Sequence, residues 1–123
     1  MYQLELIGEQ NFYLKAIGHF PPPEAERFIK EFEERTKSLS EFSVIVDITD
    51  ASHLDGRSIN MILDLLKHNN PKLNKSAYLI SNNPPLDAEF KYLIEKAESP
   101  KRKIVNTLEE AKDWLGISEI VIK

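Results

Sequence analysis

The 123-residue sequence predicts an α/β fold: a mixed sheet of about five strands with four helices packed on it, in the order β-β-α-β-α-β-α-β-α. Three observations carry that expectation. Two segments with apolar–polar alternation open the chain, as half-buried strands do. A short, almost wholly apolar run, Val44-Ile45-Val46-Asp47-Ile48, reads as a central strand covered on both faces. From Pro21 onward, runs with helical spacing alternate with strand-like runs.

Tyr2, Leu4 and Leu6 alternate with Gln3 and Glu5 in the first strand. Gly8-Glu9-Gln10-Asn11 reads as a turn. Phe12, Leu14 and Ala16 then alternate with Tyr13 and Lys15, so the two strands form a hairpin. Gly18-His19-Phe20-Pro21-Pro22-Pro23 breaks the chain, and prolines suit a helix's first turn, where their missing N–H is not needed. Ala25, Phe28, Ile29, Phe32 and Leu39 follow on one helical face, with Glu24, Glu26, Glu31, Glu33 and Glu34 on the other. After the central strand, Thr49 to Gly56 reads as a loop. Ile59, Ile62, Leu63 and Leu66 make the second helix, which Asn69-Asn70-Pro71 ends.

Ala77-Tyr78-Leu79-Ile80-Ser81 is the next strand. Asn82-Asn83-Pro84-Pro85 opens a third helix with the stripe Leu86, Phe90, Leu93, Ile94 and Ala97. Ser99-Pro100 interrupts, and Lys103-Ile104-Val105 is a brief strand. Thr107-Leu108-Glu109-Glu110 is a capping-box pattern opening the last helix, and Gly116 stops it. Ile120-Val121-Ile122 in the tail 117–123 has strand character, as a sheet edge or a partner-binding strand. The expected core is Val44, Val46, Ile48, Ile62, Leu63, Leu66, Leu79, Phe90, Leu93, Ile94 and Leu115.

Bulk properties narrow the function. The length fits one domain, residues 1–123. There is no cysteine, which removes disulfide scaffolds, thiol nucleophiles and thiolate metal sites together. The net charge of −4 argues against nucleic acid as a partner. No apolar run approaches the roughly 20 residues that cross a bilayer, and no signal peptide is visible, so the expected location is the cytoplasm.

No Gly-rich phosphate loop, Gly-x-Ser-x-Gly elbow or His-Glu-x-x-His pair is present. His19, His53 and His68 are far apart in sequence, and neither metal nor cofactor is expected. The segment that stands out is Asp47 to Ile59, between the central strand and the second helix. Ligands of open α/β sheets bind at such carboxyl ends, beside helix N-termini. Asp55 is placed to cap the second helix. Asp47 reads as a strand residue bonded to loop backbone, and Asp50 as a turn residue. His53 is the one candidate for a general base there, though a loop histidine is more often a packing residue.

The stretch Val44 to Leu63 resembles the central element of STAS domains, in particular the SpoIIAA-like anti-sigma factor antagonists. Those have an apolar strand, a short loop, and Asp-Ser-Ser-Gly-Leu opening a helix. Here the corresponding residues are Asp55-Gly56-Arg57-Ser58-Ile59. The closing Ala111-Lys112-Asp113-Trp114-Leu115 is similar to the last helix of stand-alone SpoIIAA-like domains. The resemblance implies a SpoIIAA/STAS-like fold and a non-catalytic regulatory module. It also implies a protein partner, a regulatory kinase or an anti-sigma-like protein, and admits a homodimer.

In that family the second serine of the motif is phosphorylated. Arg57 holds this position here and cannot accept a phosphoryl group, while Ser58 is one residue on, rotated by about 100°. The usual switch is therefore expected to be lost. The expected contact residues are His53, Asp55, Gly56, Arg57 and Ser58, within a solvent-accessible loop from residue 49 to 58. Two alternatives stand beside this reading. A small-molecule or lipid-binding domain of the same fold would show a closed apolar pocket. A hydrolase using Asp55 and His53 lacks a visible nucleophile and oxyanion glycines.

Overall fold

In a computed structural model of the chain, the alternating opening segments pair antiparallel as β1 (Tyr2–Ile7) and β2 (Asn11–Phe20). The structure describes residues 2–7, 10–54, 56–80, 84–97 and 100–116, with backbone alone at 53 and 54. The remaining elements are α1 (Pro22–Thr36), β3 (Phe42–Leu54), α2 (Gly56–Asn69), β4 (Leu73–Leu79), α3 (Pro84–Lys96), β5 (Arg102–Val105) and α4 (Leu108–Leu115). The order is the expected β-β-α-β-α-β-α-β-α. The five strands lie in sequence order, with β2 to β5 parallel and β1 antiparallel at the edge.

Register explains where the cores form. Phe12, Val44, Ser76 and Arg102 are successive partners across the sheet, and so are Leu14, Val46, Tyr78 and Ile104. Residues two apart share a face, so both rows point the same way. Against them pack Phe28 and Phe32 of α1, Leu65 of α2, and Leu86, Phe90 and Leu93 of α3. Phe32 is the aromatic hub, with ring centroids 5.5 Å from Phe12, 5.3 Å from Phe42 and 5.6 Å from Phe28. The other face carries Tyr13, Ile45, Ala77, Leu79 and Val105. Among the described residues it is covered by α4, through Ala111, Leu108, Trp114 and Leu115.

The helix ends follow local chemistry. Pro22 and Pro23 occupy the first positions of α1, and the Pro21 carbonyl accepts from Glu24 and Ala25 N–H, both at 3.0 Å. Thr107 Oγ1 accepts from the Glu110 N–H at 3.1 Å, and the Glu110 carboxylate accepts from the Asn106 N–H at 3.4 Å. Gly116 ends α4 at φ 75°, a left-handed conformation that glycine adopts without a Cβ penalty. Trp114 Nε1 donates to the Ser76 carbonyl at 2.9 Å, tying α4 to the sheet.

Several elements differ from the expectation. β2 continues past Ala16 to Phe20, and β3 runs to Leu54 where a loop was expected from Thr49. The two extensions pair with each other, Gly18 with Ala51 and Phe20 with Leu54, across register shifts at Lys15/Ile17 and Gly18/His19. Gly18, at φ 67°, supplies the backbone such an irregularity needs. β4 begins at Leu73, four residues before the expected Ala77.

Core membership also shifts. Val44, Val46, Ile48, Leu79, Phe90 and Leu93 are buried, whereas Ile62, Leu63, Leu66, Ile94 and Leu115 are only partly so. The buried residues of α2 are Ser58, Leu65 and Asn69. Glu24, expected on the solvent side of α1, is buried. The expected turn at Gly8-Glu9, the Asp55 cap, the Ser81 to Asn83 segment and the tail 117–123 lie outside the described residues. No described helix is long and apolar enough to cross a membrane.

Candidate functional site

The junction of β3 and α2 is a rim more than a loop. β3 brings Thr49, Asp50 and Ser52 to the surface as strand residues, and α2 begins at Gly56. Gly56 and Arg57 are exposed. Ser58 is fully buried, and its Oγ donates to the Phe20 carbonyl at 2.9 Å. The first turn of α2 is thereby fastened to the end of β2. The expectation of an accessible segment from 49 to 58 thus fails at Ser58. Asp55 and the His53 side chain lie outside the described set. The backbones of His19 and His53 are register partners on β2 and β3, although 34 residues separate them in sequence. Among the described residues no group of three or more metal-ligating side chains forms.

A polar network lies just beneath this rim, on the face that α4 partly covers. The buried Tyr13 hydroxyl donates to Asp47 Oδ2. Asp47 Oδ1 accepts from the Thr49 N–H at 2.9 Å and its hydroxyl at 2.6 Å. Burial, then the hydrogen bond to Asp47, push the Tyr13 phenol well above its ordinary 10.0. Lys15 pairs with Asp50 at 2.9 Å, and the hydrogen bond to Asp50 is the main cause of its raised pKa. Asp50 is therefore a paired strand residue, not a turn residue. Asp47 does bond local backbone, as its position suggested, but the partnership with Tyr13 has no signal in the alternation, which placed Tyr13 outward.

The third feature is a cavity of about 70 Å³ between the sheet and helices α1 to α3. Its walls include Phe28, Phe32, Phe42, Val46, Leu65 and Phe90. Ser76, Tyr78, Asn69 and Arg102 also line it. An apolar space inside the core was the feature that a small-ligand domain required. None of its polar lining residues was singled out in the sequence as a site, because Ser76, within β4, and Arg102, at the start of β5, become neighbours only through strand register.

The architecture, a five-stranded mixed sheet with an antiparallel edge and four helices, is that of the SpoIIAA-like α/β domains. Two solved structures show this at the level of fold. One is an uncharacterized protein of the DUF3478 family with a SpoIIAA-like fold, from Shewanella loihica PV-4. It is 18% identical, with a TM-score of 0.71 over 94% of this chain and 92% of that one. The other is the anti-sigma factor antagonist SpoIIAA in its unphosphorylated form. It is 14% identical, with a TM-score of 0.66 over 94% of this chain and 98% of that one. No family model and no curated protein matches the chain.

Proposed function

We propose that this chain is a non-catalytic cytoplasmic binding module that docks a protein partner at the rim formed by the end of β3 and the first turn of α2. Constitutive shape and the Arg57 charge control the docking, without phosphorylation of a serine. One observation carries the reading: the first turn of α2 exposes Arg57 and buries Ser58 completely. A guanidinium there offers a permanent cation with planar donors to a partner carboxylate or phosphate. A kinase cannot reach Ser58 Oγ without pulling the helix off β2. Support for a protein partner comes from the fold shared with an anti-sigma factor antagonist.

The test pairs affinity capture on wild type and Arg57→Glu with mass spectrometry of the native protein. The expected result is a partner retained by wild type and weakened by Arg57→Glu, with no phosphate on Ser58. Stoichiometric phosphate on Ser58 would overturn the reading, as would unchanged capture by Arg57→Glu. Ser58→Glu does not serve as a phosphate mimic, because it buries a carboxylate and threatens the fold.

A second reading has its own observation. The apolar cavity in the core supports a small-molecule-binding domain, in which ligand occupancy would tune the stability of the same scaffold. Uptake of a small apolar probe, seen as saturable shifts of cavity amides in NMR spectra, would support it. Absence of uptake would remove it.

A further inference from the structure

The cavity holds polar groups that the core does not use. Ser76 on β4 and Arg102 on β5 are register partners, so they stand side by side on the cavity face. Ser76 is 1% exposed and Arg102 8% exposed. Ser76 Oγ and Arg102 Nε are buried with no hydrogen-bond partner among the described residues. The rest of the guanidinium is held in place. Nη1 donates to the Tyr78 hydroxyl at 3.1 Å, and Nη2 donates to the Leu66 carbonyl at 2.9 Å and Asn70 Oδ1 at 3.0 Å.

Every one of those acceptors is neutral, and no carboxylate pairs with Arg102 among the described residues. A buried cation is costly unless an anion compensates it. A purely structural role exists: Arg102 closes the C-terminal end of α2, where carbonyls lack helical partners. That role occupies Nη2. It leaves unexplained why Nε, and on the neighbouring strand a second donor, the Ser76 hydroxyl, have no partner among the described residues.

We propose that the cavity is a binding site for a small amphiphilic acid. The carboxylate would sit at Arg102 and Ser76, and a short hydrocarbon part would lie among Phe32, Phe42, Leu65 and Phe90. The inference rests on the small-ligand reading above. Size limits the class. The cavity's 70 Å³ is well under the roughly 150 Å³ of an engineered cavity that takes up benzene. A monocarboxylate of one or two carbons is the class this volume admits, and a larger fatty acid is not. Orientation follows from polarity: an amphiphile reversed in the site would bury its charge against phenyl rings and leave both donors unpaired.

The experiment titrates sodium acetate into the full chain and follows backbone amides by NMR, with ethanol and ethylamine as matched probes. Acetate should give saturable shifts at residues lining the cavity. Ethanol should bind roughly tenfold more weakly or worse, since it forfeits a charge-assisted hydrogen bond, and ethylamine should not bind. Arg102→Met should abolish the preference for the acid. Should that variant fail to fold, Ser76→Ala decides: it removes only a hydroxyl and should weaken acetate severalfold. Ethanol binding as tightly as acetate would overturn the acid and leave the small-ligand reading standing. Unchanged acetate affinity in Ser76→Ala would do the same. No saturable shift with any of the three probes would overturn both.

Discussion

Three helices cover one face of the sheet, and α4, of eight residues, covers part of the other. The large face is aromatic and carries the cavity. Its rings meet mostly edge to face, as in Phe12 against Phe32 and Phe32 against Phe42. The small face is held by fewer apolar residues and by directed bonds: Tyr13 to Asp47, Thr49 to Asp47, and Trp114 to the Ser76 carbonyl. Burial is roughly proportional to area, so an internal gap costs the contacts of its lining and leaves the rest in place. Hydrogen bonds demand particular partners and lose their value when one is removed. The contrast suggests a division of labour: stability comes chiefly from the large face, and the small face fixes the end of the sheet near the β3–α2 rim.

Five substitutions break or sharpen that contrast. Phe32→Ala, at the centre of the aromatic cluster, should cost about 3–5 kcal/mol in chemical denaturation. A cost under about 1 kcal/mol would show that the large face does not dominate stability. Within the same face, Leu65→Ala should cost about 2–5 kcal/mol and Leu63→Ala distinctly less, since Leu65 is buried and Leu63 only partly. Equal costs would mean that α2 is rotated from the arrangement described.

On the small face, Tyr13→Phe should cost about 1–3 kcal/mol, because Asp47 loses a buried donor. It should also change the response to alkali. Tyr13 is raised above 10.0, and Tyr2 is raised to about 12 by burial first and then by its bond to Glu31. Folded chains hold these protons more tightly than unfolded ones. Their contribution is whole below the unfolded value and falls as pH rises through the folded values. The urea midpoint of wild type should therefore drop between about pH 10 and about pH 12, and that of Tyr13→Phe should drop less. Parallel declines would show that Tyr13 does not titrate as its burial implies. The smallest effect belongs to the end of the helix covering this face. Thr107→Ala should cost about 1 kcal/mol by removing the cap on the Glu110 N–H.

Element types and order were legible because each rests on local pattern. The Val44 to Ile48 run, the capping box at Thr107 and the prolines before α1 need no distant partner to be read. What was not legible depends on partners far along the chain. Thr49 to Ser52 is polar and reads as loop, yet it is strand because the end of β2 lies beside it. Gly18 reads as a break and is instead an irregularity within β2, a meaning that an isolated glycine in a strand also carries. The buried stripe of α2 was hidden because two of its members, Ser58 and Asn69, are polar. At the site, the exposure of Gly56 and Arg57 followed from their place at a helix start. The burial of Ser58 did not, since its acceptor is 38 residues away. Arg102 and Ser76 were silent for the same reason, because strand register alone makes them neighbours.

The strictly sequential order of the strands has a consequence for a chain growing from a ribosome. Each new strand finds its neighbour already made, so no pairing must wait for a later segment and the sheet can extend one strand at a time. Covering the sheet follows a different timetable. The helices of the large face alternate with the strands, and each closes over its share as it emerges. The described cover of the small face, α4, comes after all five strands. Until α4 arrives, Tyr13, Ile45, Ala77 and Leu79 form a bare apolar strip on an almost finished sheet. A stall in synthesis before residue 108 would leave that strip open to other nascent chains, which makes the last helix the guard against aggregation during translation.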